Sequence, residues 1–143
     1  MTNETDNPIE EQCLARGMRM TEQRRVIARV LSASADHPDV EELYRRAVQV
    51  DPGISISTVY RTVKLFEDSG IIERHDFRDG RSRYEQVPEE HHDHLIDLRS
   101  GKVIEFRDEE IEKLQEAIAR RLGYRLVDHR LELYGVPLKD DER

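Results

Sequence analysis

Apolar residues recur at helical spacing in three segments of the first half of the chain. Thr21, Asp39 and Ser57 stand just before these segments, where a side-chain oxygen caps a helix N-terminus, and Gly70 closes the third one. The apolar positions are Val26, Ile27, Val30 and Leu31, then Leu43, Tyr44, Ala47 and Val48, then Val59, Val63 and Phe66. The pattern predicts three consecutive helices, with a shorter helix over 9–14 before them.

From Ile71 onward the pattern is typical of a β-hairpin. Residues 71–77 and 81–87 each have the composition of a strand, and Asp79-Gly80 between them is a strong hairpin turn. Helices followed by such a hairpin predict a winged helix over residues 1–87.

The remainder of the chain predicts a second domain of ββαβ order. After a hinge at 88–91, strands at 95–98 and 102–106 flank a turn, a helix follows, and residues 125–134 alternate as a last strand. The apolar stripe of the helix is Ile111, Leu114, Ile118 and Leu122, and one face of the last strand carries Val127, His129, Leu131 and Leu133. The predicted fold class is α+β, with a winged helix-turn-helix domain followed by a small α/β domain over 92–143.

Composition excludes several classes of protein. The chain has 143 residues, 36% hydrophobic and 38% charged, and no apolar run near the roughly 20 residues that span a bilayer. Its start lacks a secretory signal, so a cytoplasmic protein without membrane contacts is expected. Cys13 is the only cysteine, so neither an intramolecular disulfide nor a zinc site of paired cysteines can form, and we expect Cys13 to serve as a packing residue.

Charge is unevenly distributed along the chain. The net charge of −8 argues against a nucleic-acid partner, but residues 16–83 hold thirteen basic and eleven acidic residues. Residues 84–143 hold ten basic and sixteen acidic residues. A mildly basic block before an acidic one indicates two different tasks, one of them directed at an anionic partner.

The third helix has the residue pattern of a DNA recognition helix. Its outer face carries hydrogen-bonding and cationic side chains, namely Thr58, Tyr60, Arg61 and Lys64. The second helix of a helix-turn-helix motif contacts base edges with such residues, and Arg78, Arg81 and Arg83 of the wing would contact the sugar-phosphate backbone. The alternative is an ordinary solvated helix face and a charged turn.

Three histidines crowd into one short segment, His91-His92-Asp93-His94. In an extended chain His92 and His94 point to one side while His91 and Asp93 point to the other, so the segment would serve two different metal sites. His129 is a further candidate ligand because it lies on the apolar face of the last strand, where an unpaired ring is costly. The alternatives are an exposed polar loop for the cluster and a core histidine for His129.

The donor types limit the metal to a class. Imidazole and carboxylate without thiolate suit Mn(II), Fe(II), Co(II), Ni(II) or Zn(II), and affinity order alone does not select among them. His75, within the first wing strand, is interpreted as a structural histidine rather than a ligand.

Three runs of residues together resemble the ferric uptake regulator (Fur) family. They are Gly17-Met18-Arg19-Met20-Thr21-Glu22-Gln23-Arg24, Ile56-Ser57-Thr58-Val59-Tyr60-Arg61-Thr62-Val63, and His91-His92-Asp93-His94-Leu95-Ile96 with Gly101-Lys102-Val103-Ile104-Glu105-Phe106. The resemblance covers nearly the whole chain. It implies a homodimeric, metal-dependent transcription factor with an N-terminal winged helix and a C-terminal dimerisation domain.

The resemblance also implies roles for individual residues. It implies an interdomain regulatory metal site and a second site within the dimerisation domain, formed respectively by His37, Glu85, His92, His94 and Glu105, and by His91, Asp93, Glu112 and His129. It implies that Arg19 lies in or near the minor groove of DNA and that Tyr60 and Arg61 lie against bases and phosphates in the major groove.

One departure from the family pattern concerns zinc. Many members bind a structural zinc ion through a Cys-x-x-Cys pair where this sequence has Asp97 and Ser100, and a later cysteine pair is also missing. Members without these cysteines include the manganese uptake regulator (Mur) branch. The haem-responsive branch (Irr) fits less well, because Leu14 follows Cys13 where the haem motif has proline.

The resulting hypothesis is a repressor, not an enzyme, that binds palindromic double-stranded operator DNA as a dimer when Mn(II) or Fe(II) is bound. Zn(II) would be able to substitute for either metal. The sequence does not distinguish a dimer from a tetramer formed by two dimers. Two alternatives are a metallo-hydrolase and a metal-independent winged-helix regulator. The sequence lacks His-Glu-x-x-His, and four or five protein ligands at each implied site leave little room for substrate.

Overall fold

The computed structural model describes residues 7–78, 80–87, 91–139, 141 and 143. The chain divides into two compact units, Met1–Val87 and Pro88–Arg143, here called unit 1 and unit 2. Residues 88–90 of the predicted hinge and Asp79 of the predicted turn lie outside the described residues. Within the described residues, no helix is both long and apolar enough to cross a membrane.

Unit 1 is a helical bundle followed by a hairpin, which is the winged-helix order predicted from sequence. Its elements are α1 (Pro8–Ala15), α2 (Glu22–Ala33), α3 (Val40–Val50), α4 (Ile56–Asp68), β1 (Ile72–Asp76) and β2 (Ser82–Gln86). Thr21 caps α2 by accepting from Arg24 N–H, and Asp39 caps α3 by accepting from Glu42 N–H. These two caps confirm the predicted starts of both helices.

Helix α4 begins earlier than predicted. The cap is Ser55, whose Oγ accepts from Thr58 N–H, and not Ser57, which lies within the first turn. The earlier start places Ile54 just before the cap and Val59 at the fourth helical position, and both side chains are buried in the same apolar cluster. Such a pair fixes the entry of the chain into a helix, and it explains why Ser55 was selected over Ser57.

Gly70 ends α4 as predicted, because its φ of 75° is in the left-handed region that glycine adopts without strain. Ile71 N–H then donates to the Phe66 carbonyl at 3.0 Å, which turns the chain directly into β1. The hairpin that follows pairs antiparallel, with Glu73 opposite Glu85 and His75 opposite Arg83.

The apolar core of unit 1 joins all four helices to the hairpin. Its central side chains are fully or almost fully buried, among them Ile9, Cys13, Ile27, Leu43, Val59, Phe66 and Ile71. The full burial of Cys13 confirms its predicted packing role. Burial also raises the pKa of the Cys13 thiol, so the thiol is held in its protonated form.

Unit 2 has the predicted ββαβ order. Its elements are β3 (Asp93–Asp97), β4 (Val103–Phe106), α5 (Glu109–Arg121) and β5 (Glu132–Gly135). In this three-stranded sheet β3 is central, antiparallel to β4 and parallel to β5. Together the two units have the predicted α+β class.

The last strand is shorter than predicted. Parallel pairing to β3 begins at Glu132, opposite His94, and His94 N–H donates to the Leu131 carbonyl at 3.3 Å. Val127 therefore lies before β5 and is 85% exposed, not on a buried apolar face. Leu114 and Ile118 on α5 and Leu122 at its C-cap are also exposed, so unit 2 presents an apolar surface to its surroundings.

Candidate metal centres and nucleic-acid interface

Helix α4 carries four of the side chains predicted to contact DNA, three of them exposed. Tyr60 is 53% exposed, Arg61 and Lys64 are exposed, and Thr58 is half-buried beside them. Arg61 Nη2 lies 3.4 Å from Thr58 Oγ1, and Lys64 Nζ lies 3.6 Å from Asp68 Oδ2. The face therefore carries two cations whose local partners are weak and solvent-exposed.

A cleft of about 600 Å³ separates α4 from the wing within unit 1. Tyr60, Arg61 and Lys64 line one wall, and Arg74 and Arg81 of the hairpin line the other. The lining also includes three carboxylates, those of Asp39, Glu41 and Glu67. Arg81 Nη1 lies 3.2 Å from Asp39 Oδ2, so part of the positive charge of the wing is already neutralised.

Two predicted basic contacts differ in their placement. Arg19 is exposed in the segment before α2, where its backbone carbonyl accepts from Arg24 Nη1 at 2.6 Å. Arg83, predicted to reach the sugar-phosphate backbone, is only 5% exposed, so that part of the wing prediction is wrong. Arg83, Tyr84 and Glu85 are consecutive buried positions of β2, and residue 83 points to the same side as Glu85.

His37 lies in an unusual backbone conformation between α2 and α3. Its φ of 53° is in the left-handed region, which costs a non-glycine residue about 1–3 kcal/mol and is common at functional sites. Next to it, Tyr84 N–H donates to the Pro38 carbonyl at 3.0 Å, which ties this loop to β2. Through that bond the His37 loop and the Glu85 strand are held side by side.

A bidentate ion pair stabilises the same loop. Arg46 Nη1 and Nη2 lie 2.9 and 2.6 Å from the two carboxylate oxygens of Asp36, and Arg46 Nη1 also donates to Ser34 Oγ at 2.9 Å. The hydrogen bonds from Arg46 lower the pKa of Asp36. No motif in the sequence links Arg46 to His37, so sequence reasoning missed this support.

Glu85 is the second predicted ligand in unit 1, and it contacts two histidines. Its Oε2 lies 2.8 Å from His37 Nε2, with the side chains 8% and 2% exposed. Its Oε1 lies 2.7 Å from His75 Nε2. The sequence interpretation of His75 as structural did not anticipate this contact, because ten residues and a turn separate the two positions along the chain.

Three predicted ligands of the same set lie in unit 2. His94 is directly opposite Glu105 in the β3–β4 ladder, and His92 Nε2 lies 3.4 Å from Glu105 Oε1. The His92 and His94 rings are 4.9 Å apart between centroids. The side chains of 92 and 94 thus share one side of the chain, as the alternation argument predicts.

The second predicted set lies entirely within unit 2 and converges closely. His91 Nε2, His129 Nε2 and Asp93 Oδ1 are mutually 3.0 Å apart, and Glu112 Oε1 lies 3.8 Å from His129 Nε2. One ligand atom from each residue falls within 4.8 Å of the others. β3 supplies Asp93, α5 supplies Glu112, and the segment before β5 supplies His129.

The donor atoms of this set fit a bound metal ion. Two ligands at about 2.1 Å from one ion lie roughly 3 Å apart at a right angle, which is the separation of these three atoms. Among the described residues, the buried atoms Asp93 Oδ2 and Glu112 Oε1 have no hydrogen-bond partner. Buried carboxylate oxygens are costly without a partner, and a divalent cation would neutralise them.

Taken together, these features define a winged-helix protein with candidate metal centres built from imidazole and carboxylate donors. The sequence profile of the Ferric uptake regulator family matches residues 15–134, and the chain belongs to that family.

Comparison with individual proteins agrees with this assignment. The chain is 79% identical over 134 residues to the ferric uptake regulation protein of Rhizobium leguminosarum bv. viciae, covering 94% of each chain. It is 80% identical to a structure described as a zinc-bound manganese uptake regulator, with a TM-score of 0.81, covering 91% of this chain and 98% of that one. The Helicobacter pylori ferric uptake regulator, described with three functional metal-binding sites, is 32% identical with a TM-score of 0.83 and coverage of 100% and 98%.

Proposed function

We propose that the protein is a homodimeric, metal-dependent transcriptional repressor that controls metal uptake by binding palindromic operator DNA. The observation that carries the proposal is the alternation of segment 91–94, in which His91 and Asp93 converge with His129 while His92 and His94 lie with Glu105. A ligand set shared between a DNA-binding unit and a second unit is a direct means of coupling metal to DNA.

The regulatory centre in this proposal takes His37 and Glu85 from unit 1 and His92, His94 and Glu105 from unit 2. Each half is pre-arranged within its own unit, as the 2.8 Å His37–Glu85 contact and the 3.4 Å His92–Glu105 contact indicate. An ion held by both halves would fix the orientation of the winged helices. Such differential binding typically changes affinity for a second ligand by about 1–3 kcal/mol.

The second centre, formed by His91, Asp93, Glu112 and His129, would stabilise unit 2. All four ligands belong to that unit, so an ion there joins β3, α5 and the segment before β5 without involving the winged helix. We therefore assign this centre a supporting role and the first centre the sensing role.

The metal proposed is Mn(II) or Fe(II), with Zn(II) able to substitute. Nitrogen and oxygen donors without thiolate suit all three ions, and the single cysteine leaves no structural zinc site of the cysteine type. The similar proteins carry both names, a ferric uptake regulation protein at 79% identity and a manganese uptake regulator at 80%. Selection between the two metals is accordingly the first question for experiment.

The DNA interface proposed comprises Arg19, Thr58, Tyr60, Arg61 and Lys64. The exposed face of α4 would enter the major groove, and Arg19 would lie at the adjacent minor groove.

The exposed apolar side chains of Leu114 and Ile118 on α5 and of Leu122 at its C-cap support a dimer, since an apolar surface of this kind marks a protein–protein interface. A two-fold dimer presents two copies of α4 and so favours a palindromic operator. The protein would act in the cytoplasm.

Two other functions are less well supported. A metallo-hydrolase needs an open coordination position, whereas four and five protein side chains are available at the two proposed centres. A metal-independent winged-helix regulator would leave the buried carboxylate atoms of Asp93 and Glu112 without an explanation.

The decisive experiment measures DNA binding at buffered free concentrations of Mn(II), Fe(II) and Zn(II). Random duplexes are selected on the full-length protein with Mn(II), and affinity for the selected sequence is then measured with each metal and with chelator. Metal-stimulated binding to a palindrome supports the proposal. Equal affinity with and without metal would establish a metal-independent regulator instead.

A further inference from the structure

Glu85 is unusual among the predicted ligands because a second buried histidine contacts it. His75 Nε2 lies 2.7 Å from Glu85 Oε1, and the two side chains are 10% and 8% exposed. The opposite carboxylate oxygen, Oε2, lies 2.8 Å from His37 Nε2. One buried carboxylate thus lies between two imidazoles, both within unit 1.

The chemistry of the carboxylate makes the two histidines unequal. An ionised carboxylate only accepts hydrogen bonds, so His75 Nε2–H donates to Oε1. If His37 binds a metal ion through Nε2, that nitrogen gives up its proton and no longer donates to Glu85. His75 is then the histidine that still restrains the carboxylate.

The orientation of the His75 ring is itself constrained. The ring stacks on Phe77 with centroids 5.1 Å apart and an interplanar angle of 11°. Phe77 is 1% exposed and meets the His37 ring at 6.2 Å and 70°. One aromatic side chain therefore contacts both histidines, which limits the positions available to Glu85.

A separate metal ion bound by Glu73, His75 and Glu85 is the competing interpretation, since their ligand atoms lie within 4.8 Å of one another. Two features disfavour it. The Glu73 side chain is 48% exposed, and Arg83, opposite His75 in the ladder, brings a buried positive charge to the same face of the hairpin.

We propose that His75 is a positioning residue that orients Glu85 for the regulatory metal centre without binding the metal itself. This inference rests on the proposed function, because it presumes that Glu85 is a ligand. Hydrogen-bonding partners of metal ligands typically contribute about 10- to 100-fold to metal affinity. His75 would contribute by holding Oε1 so that Oε2 remains directed at His37.

The test compares His75→Leu, which removes the donor and keeps an apolar side chain of moderate size, with His75→Gln, which retains an N–H donor. Mn(II) binding to the full-length protein is measured by titration, the visible spectrum of bound Co(II) reports coordination, and circular dichroism reports folding. His75→Leu should weaken Mn(II) binding about 10- to 100-fold at unchanged stoichiometry and alter the Co(II) spectrum. His75→Gln should restore most of the affinity and the wild-type spectrum.

Glu85→Ala and Glu73→Gln complete the design. Loss of a metal equivalent in both His75→Leu and Glu73→Gln would show that His75 is a ligand, which overturns the proposal. Wild-type affinity and spectrum in folded His75→Leu would also overturn it, provided that Glu85→Ala abolishes the metal response. If Glu85→Ala itself leaves the response intact, the proposed regulatory centre is wrong. If His75→Leu does not fold, His75→Gln decides the question: most of the wild-type affinity at unchanged stoichiometry supports the proposal, and loss of a metal equivalent overturns it.

Discussion

Asp93 Oδ1 lies 3.0 Å from His129 Nε2, so the first residue of β3 is joined to the segment before β5 inside unit 2. Asp93 is 1% exposed, and its other oxygen has no hydrogen-bond partner among the described residues. This contact belongs to one unit alone, whereas His92, the residue before Asp93, belongs to the regulatory centre that we propose the two units share. Substitutions at the neighbouring positions 92 and 93 are therefore expected to have different phenotypes.

The two metal centres should respond differently to mutation. His92→Ala and Glu85→Ala should abolish metal-stimulated DNA binding, because both remove ligands from the proposed regulatory centre. His129→Ala should lower the free energy of unfolding by about 1–3 kcal/mol, since it leaves Asp93 buried with one partner fewer, while a metal response persists. Gel-shift titration with and without Mn(II), together with denaturant unfolding, measures both effects. The opposite pattern would mean that the sensing site has been assigned to the wrong side of the strand.

Arg61→Ala should weaken operator binding by about 1–3 kcal/mol and leave metal binding unchanged. Arg61 is exposed on α4, where its Nη2 lies 3.4 Å from Thr58 Oγ1. Fluorescence anisotropy over a series of salt concentrations is the measurement, and the variant should show a shallower salt dependence. Arg45→Ala is the matched control, because Arg45 is 68% exposed on α3 and pairs with Glu42. An equal loss of operator affinity in Arg61→Ala and Arg45→Ala would show that α4 is not the recognition helix.

Removal of metal should leave the protein folded. The core of unit 1 is apolar and the chain has one cysteine, so no thiolate site ties folding to a metal ion. After treatment with a strong chelator, circular dichroism should retain its helical signal, with a lower Tm that Mn(II) restores by linkage. Operator affinity should fall in the same sample. Unfolding on chelation would reveal a structural role for the second centre.

Ile118→Glu should weaken the dimer by at least about 2 kcal/mol, because it places a charge within the exposed apolar stripe of α5. Sedimentation velocity across a concentration series measures the monomer–dimer equilibrium. Lys113→Glu is the control, since residue 113 is exposed on the side of α5 away from Leu114, Ile118 and Leu122. A dimer unaffected by Ile118→Glu would place the interface elsewhere.

Local features of the chain were predictable because they depend on near neighbours. Thr21 and Asp39 cap α2 and α3 by accepting hydrogen bonds from the backbone N–H groups three residues ahead. The helical periodicity of apolar residues predicted which face of each helix is buried. The separation of His91 and Asp93 from His92 and His94 follows from strand geometry alone. These interactions span few residues, so sequence spacing is sufficient to infer them.

Choices between near-equivalent local signals were decided by packing. Ser55 and Ser57 both offer a capping hydroxyl, and burial of Ile54 with Val59 selected the first. The alternation of residues 125–134 predicted a long strand, but only Glu132–Gly135 pair with β3. Propensity and alternation do not carry information about the length of the neighbouring strand.

Residue types and their spacing were enough to infer the order of elements, the absence of a cysteine-type metal site and the donor types available for a metal. The folded arrangement was needed to show that Arg83 is buried, that Arg46 stabilises the His37 loop through Asp36, and that His75 and His37 both contact Glu85. Each of these contacts joins residues eight or more positions apart or depends on which side of a strand meets the core. Long-range packing sets such contacts, and no local pattern in the chain encodes them.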